Sequence, residues 1–316
     1  MANTQNPAVR FMAWSARHGS VLLAVGIFAG LLFPPLAHSM VWFITPNVVL
    51  LVTCVLLRVD VSAAIHHLRR PWRLVAIVAF TLVASPLIAA GALHYVPMDE
   101  GLRAAVIISA TGAAATSGAA FARLVGLDPE LTLIATLASI FLVPLTGPPL
   151  ADFLAGVDLH ITVVGFMMRL ALVVGVPFLL SLAIRQTAGR ARLEPLGPAI
   201  DGAVVWLVVL YGFAVMDGLQ AKFLADPLWV GEATLAAFLA NFGLNFLTTL
   251  VFSGLGLRSA ASAGLMSGNR NMALYLAVLP ASADHRIAMF FGLAQIPLFL
   301  SPFLLRPIYR RVLGKA

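Results

Sequence analysis

The feature that most constrains this chain is a near-continuous succession of apolar runs, separated by short loops that hold most of the charge. The runs are Ser20–Leu36, Val41–Leu57, Leu74–Val96, Arg103–Val125, Leu131–Phe153, Ile161–Ile184, Ala199–Met216, Ala233–Leu257, Ala260–Leu279 and Ile287–Leu305. Crossing a bilayer core of about 30 Å takes about 20 helical residues at 1.5 Å each, which is the length scale of these runs. They are continuous rather than alternating, which argues for helices and against barrel strands. Only 10% of the residues are charged, against about a quarter in a soluble domain. No loop is long enough for a separate soluble domain. The expectation is an all-α membrane protein of about ten transmembrane helices.

The charges then orient those helices. With the N-terminus on the cytoplasmic side, fifteen of the 20 basic residues fall in cytoplasmic segments. Arg103, Lys222 and Arg286 fall opposite, and Arg169 and Arg270 lie inside spans. The outer side carries Asp99, Glu100, Asp152, Asp158, Asp217, Asp226, Glu232 and Asp284. This positive-inside bias predicts an inner (plasma) membrane protein with both termini cytoplasmic. It also accounts for the net charge of +7 without invoking nucleic acid. Arg10 and Arg17 precede the first run, but no small-residue cleavage site follows, so that run reads as a retained helix. The linker from Arg58 to Arg73 alternates apolar and basic residues, as an interfacial helix over anionic headgroups does.

An internal repeat is visible. Ser117-Gly118 is followed 27 residues later by Pro144-Leu145, and Ser267-Gly268 is followed 30 residues later by Pro297-Leu298. Pro71-Trp72 before the third run has its counterpart in Pro227 and Trp229 before the eighth. Halves of five helices, 1–158 and 159–316, place equivalent loops on opposite sides of the membrane. The repeat is therefore inverted, a design typical of secondary transporters.

The fourth and ninth runs are the unusual ones. The fourth contains Ser109, Thr111, Gly112, Thr116, Ser117 and Gly118; the ninth contains Ser262, Gly264, Ser267, Gly268, Asn269, Arg270 and Asn271. Glycine and small polar residues permit local unwinding, which frees backbone groups for a solute. In the fourth run an ordinary small-residue packing face explains the pattern equally well. In the ninth, an arginine at the centre of a span costs at least about 2.5 kcal/mol on insertion scales, so it needs a polar interior and a partner. Candidate substrate-binding residues are Thr111, Thr116, Ser117, Ser267, Asn269, Arg270 and Asn271.

These segments, together with the helix of Thr132, Thr136 and Ser139 that ends in Pro144-Leu145, resemble the bile acid:sodium symporter family. The resemblance covers nearly the whole chain. It implies discontinuous helices four and nine that cross each other. It also implies a panel domain (spans one, two, six and seven) and a core domain (three to five and eight to ten). A small organic anion then binds between the domains and crosses by alternating access. The family's sodium sites correspond here to Thr116, Ser117, Thr132, Thr136, Met266, Ser267, Asn269 and Arg270. Two of these depart from the pattern: sodium-coupled members carry a carboxylate where Met266 stands and a glutamine where Arg270 stands. A hard cation wants oxygen ligands and usually a negative charge, and Met266 supplies neither. The guanidinium of Arg270 is expected either to replace sodium and help attract the anion, which puts sodium coupling in question, or only to lock the crossover without touching substrate; no other cofactor is expected.

Other readings are weaker. A cation:proton antiporter of related architecture needs a titratable carboxylate near the midplane, and no span holds one at depth. An arsenite permease is disfavoured because the fourth run has no cysteine; the sole Cys54 lies in the second. The seven histidines lie near span ends without metal-ligand spacing, and no nucleophile–base pair indicates an enzyme. A non-transporting sensor with the same pocket stays open. Arg169 has two readings, as a substrate contact from the panel side or as a residue that snorkels outward or pairs with Asp217 or Glu232. Asn241 and Asn245, one turn apart, read as interhelical hydrogen-bonding residues.

Overall fold

A computed structural model describes residues 7–58, 71–157, 159–280 and 282–312. The predicted interfacial helix after Arg58 lies outside the described residues. Helix α1 (Pro7–Arg17) precedes α2 (Gly19–Leu32), α3 (Pro34–Met40) and α4 (Ile44–Arg58). Then come α5 (Pro71–Leu93), α6 (Glu100–Thr111), α7 (Gly118–Val125), α8 (Pro129–Ala155) and α9 (Val163–Ala188). The chain continues through α10 (Gly197–Ala214), α11 (Leu219–Ala225), α12 (Pro227–Val251), α13 (Leu257–Gly268), α14 (Met272–Leu276) and α15 (His285–Val312).

Among the described residues, seven helices are long and apolar enough to cross a membrane, or eight if α1 and α2, bent by 86°, form one span. The difference from ten has a simple cause. The fourth and ninth runs are each split in two, into helices of 12 and 8 residues and of 12 and 5 residues. At 1.5 Å per residue, neither half of either pair spans a bilayer alone. Elsewhere the boundaries move outward from the apolar runs to capping residues. Asp99, Asp128, Asp226 and Asp284 each accept backbone N–H bonds at the start of α6, α8, α12 and α15, and Thr162 does the same for α9. Caps of this kind satisfy the orphan amides of the first turn. Three of the acidic residues on the predicted outer side therefore have a structural task.

The helices pack in two groups. One comprises α1, α2, α4, α9 and α10; the other comprises α5 to α8, α12, α13 and α15. They meet where α8 lies on α9 and where the short α14 touches α4 and α9. Glycines set the closest approaches in both groups. A Cβ at Gly30 of α2 would stand 2.5 Å from the Phe213 carbonyl of α10, and one at Gly264 of α13 would stand 2.5 Å from the Asn245 carbonyl of α12. Exposed Val21, Val25, Phe28 and Leu32 form one stripe of α2, and Val164, Met168, Leu172 and Leu179 lie exposed along α9. Apolar stripes of this kind belong against lipid tails. By contrast α6 is buried from Gly101 to Thr111 except at Arg103, so the broken helix runs through the interior.

Candidate functional site

The two breaks meet. Between α6 and α7 the chain is non-helical from Gly112, and between α13 and α14 Asn269 is extended and Asn271 is non-helical. Ala114 and Arg270 face each other as an antiparallel bridge. The Ala115 N–H donates to the Asn269 carbonyl (2.8 Å), and the Asn271 N–H donates to the Ala113 carbonyl (2.7 Å). The reason is local. Asparagine side chains compete with the helix for backbone groups, and a backbone opened within a membrane must be satisfied by protein. Each break supplies the partners the other lacks. Ser139 of α8 completes the crossing by accepting the Ala114 N–H at 3.0 Å. Asn241 of α12 donates to the Gly268 carbonyl and to Asn269 Oδ1, both at 3.0 Å.

Arg270 is 2% exposed and occupies the middle of this crossing. Its Nη1 donates to the carbonyls of Thr81 and Gly112, both at 2.9 Å. Its Nη2 donates to Ser85 Oγ (2.6 Å) and Ser267 Oγ (3.3 Å). The origin of the Thr81 carbonyl lies in α5. Residues Phe80–Ala84 form a π-helical turn in which the Ser85 N–H bonds Phe80 rather than Thr81. The next residue, Pro86, has no N–H to give, so the Thr81 carbonyl is left to Ser85 Oγ (2.9 Å) and to Arg270. The Gly112 carbonyl is free because α6 ends there. Arg270 thus sits beyond the C-terminal ends of α6 and α13, where the backbone dipoles favour a cation. Among the described residues no Asp or Glu is buried, so carbonyl and hydroxyl dipoles alone compensate this charge.

The other predicted residues divide. Thr111, Ser267, Asn269, Arg270 and Asn271 come together at the crossing and are buried. Thr111 Oγ1 lies 2.9 Å from the Tyr275 hydroxyl, which ties the end of α6 to α14. Thr132 and Thr136 share the face of α8 that meets the start of α7: a Cβ at Gly118 would lie 3.1 Å from Thr132 Cγ2 and 3.4 Å from Thr136 Oγ1. Thr132 spends its hydroxyl on the Asp128 carbonyl (2.8 Å), whereas Thr136 Oγ1 is buried without a protein partner. Thr116 and Ser117 are half-buried beside them, and Ser117 makes no capping bond. Met266 is buried within the apolar core and brings no oxygen to the group. A pocket of about 10 Å³, bordered by Ser109, Asn241, Gly268, Arg270 and Phe290, adjoins the crossing. It has room for about one water molecule.

Sequence reasoning missed Thr81, Ser85 and Tyr275. Ser85-Pro86 within an apolar run was the available signal, because an interior proline always releases a carbonyl. Asn241 does make an interhelical bond, as expected. Arg169 pairs with neither Asp217 nor Glu232; Asp217 is 3.1 Å from His38.

Residues 45–227, more than half of the chain, match the family described as the Sodium Bile acid symporter family. The chain belongs to that family. Membership makes it a multi-pass membrane protein of a transporter family. The matched range includes the first broken helix and the face of Thr132 and Thr136, while Arg270 and its break lie beyond it. No curated protein matches the chain.

Proposed function

We propose that this member of the Sodium Bile acid symporter family is a secondary active transporter of a small organic anion, working by alternating access without a sodium requirement. The observation that carries the sodium-independent part is the ligand set of Arg270. Two carbonyls and two hydroxyls converge on its guanidinium, and oxygens of this kind are what a hard cation such as sodium takes. The fixed charge occupies the position of a coupling ion, and Met266 stands where a carboxylate would be needed.

The architecture fits alternating access. The helix group of α2, α4, α9 and α10 corresponds to a panel, and the group of α5 to α8 with α12, α13 and α15 to a core. The mutual pairing of the two breaks fits a pair of inverted five-helix repeats, 1–158 and 159–316. Counting each broken pair as one crossing gives ten spans, and the basic loops of one side favour both termini cytoplasmic in a plasma membrane. An antiporter would place a carboxylate at the crossing, where an arginine stands.

The test is uptake of lactate, pyruvate and cholate into proteoliposomes, with and without a sodium gradient, for wild type and Arg270→Gln. Sodium-independent uptake that is lost in the variant is the expected outcome. Uptake that needs a sodium gradient in wild type would refute the fixed-cation reading. Arg270→Ala sharpens the test: it leaves four oxygens around a vacated cation position, so sodium is expected to raise its melting temperature and to leave that of wild type unchanged.

A further inference from the structure

A second arginine inside a span is held quite differently. Arg169 lies seven residues beyond Thr162, the N-cap of α9, which is about 10 Å into the helix at 1.5 Å per residue. It is exposed rather than buried. Its one hydrogen bond among the described residues runs from Nη1 to the Val278 carbonyl at 3.4 Å, near the long limit for such a bond. No acidic side chain among the described residues pairs with it. A guanidinium has five N–H donors in a fixed fork, so most of this one's capacity is uncommitted. Keeping it within an apolar helix costs free energy that one long bond to an uncharged carbonyl does not offset.

Its position relative to the crossing is well defined. Phe166, one turn earlier on α9, packs its ring edge-on against Tyr275 with centroids 5.4 Å apart. The Tyr275 hydroxyl in turn meets Thr111 at the end of α6. Arg169 therefore stands along α14 on the face that continues from the crossing. The carbonyl it touches belongs to the frayed C-terminal end of that half-helix, as does the Ala277 carbonyl, which Thr45 of α4 takes at 2.9 Å.

We propose that Arg169 binds the carboxylate of the transported anion from the α9 side, and that the Val278 carbonyl holds the guanidinium when no anion is bound. This assignment rests on the transport reading above. A carboxylate accepts two parallel N–H bonds from a guanidinium, each shorter and stronger than the one it displaces. Arg270 is not available for this task, because its terminal nitrogens are already engaged and it is 2% exposed. The division of labour is then complete: one arginine supplies a fixed charge to the crossing, the other takes the charge of the cargo. Release of the Val278 carbonyl on binding also loosens one tie between α9 and α14, which links anion binding to movement of the two helix groups.

The test uses the full-length protein and lactate, pyruvate and cholate as probes, with two readouts: the melting-temperature shift in detergent and initial-rate uptake in proteoliposomes. Wild type is expected to show both with at least one probe. Arg169→Gln is expected to lose the melting shift and to raise KM at least tenfold while kcat stays within about twofold. Arg169→Lys, which keeps the charge but not the fork, is expected to fall between. Wild-type KM in Arg169→Gln overturns the assignment and leaves the transport reading standing, and it is the outcome for a side chain that only snorkels. An Arg169→Gln protein that no longer folds makes the residue structural and also overturns it. No uptake and no melting shift with wild type overturns both.

Discussion

Arg270 and Arg169 are the same residue type placed within apolar helices, yet their surroundings differ in every respect that matters. Arg270 is enclosed at the meeting of two helix breaks, with carbonyl and hydroxyl oxygens on both terminal nitrogens. Arg169 sits on an unbroken helix, exposed, and reaches one carbonyl at 3.4 Å. The contrast shows how a charge in an apolar protein declares its use. A guanidinium whose terminal nitrogens are spent on the protein organises structure, and one whose terminal nitrogens are largely unspent is open to a ligand.

That comparison breaks first at Arg270. Arg270→Met keeps the bulk and removes the donors, so the buried Gly112 carbonyl is orphaned and the Thr81 carbonyl keeps only Ser85 Oγ. An orphaned group costs about 1–3 kcal/mol, and the expected result is loss of monodisperse protein in detergent or a large fall in melting temperature. A melting temperature equal to that of wild type would mean that the crossing stands without its arginine.

A smaller effect is expected from Ser85→Ala, which deletes the closest oxygen on Arg270, at 2.6 Å. Hydrogen bonds to charged groups contribute about 1.5–3 kcal/mol, so a destabilisation in that range should appear in chemical or thermal unfolding. Because Arg270 still occupies the cation position, sodium should not rescue it. If Ser85→Ala is neutral, the π-helical turn of α5 serves some purpose other than holding Arg270.

Smaller still is the contribution of the surface. Arg286 pairs with Asp99 and Asp284, both at 2.7 Å, and so ties the start of α6 to the start of α15. Its side chain is 41% exposed, so replacement by Gln is expected to cost no more than about 1 kcal/mol. Burial raises the pKa of Asp284, but hydrogen bonds from the Arg286 side chain and backbone outweigh it and hold the carboxyl below its ordinary value. A depressed carboxylate pKa stabilises the folded state above the unfolded pKa, and that contribution is lost as pH falls through the folded value. Wild type should therefore lose slightly more stability than Arg286→Gln between about pH 5 and the folded pKa of Asp284. Equal acid sensitivity would show that the pair contributes nothing. Smallest of all is the expected effect of Arg169→Gln on melting without ligand, within about 0.5 kcal/mol, and this separates the two intramembrane arginines most sharply.

Much of the architecture was legible from residue types. The apolar runs mark the long helices, and Asp99, Asp226 and Asp284 mark where three of them begin. Two runs rich in Gly, Ser and Thr or Asn announced their own interruption. Arg270 was conspicuous because a charge in such a run demands a reason. What was not legible was the partner set. Thr111 points to Tyr275, and Asn241 reaches Gly268 and Asn269, across gaps of 164, 27 and 28 residues. Nor does a residue's name tell whether its hydroxyl is spent locally, as in Thr132, or left over, as in Thr136.

By itself, the sequence determined the class of this protein, since continuous apolar runs have no stable place in water and a single helical solution in lipid. It also determined the presence of one costly charge in a broken span. Only the tertiary structure decided what that charge does. The ligands of Arg270 are largely main-chain carbonyls and common serines, one of them 189 residues away. Every residue carries a carbonyl, and which one is left unpaired depends on where a π-helical turn, a proline and a helix end are brought together in space.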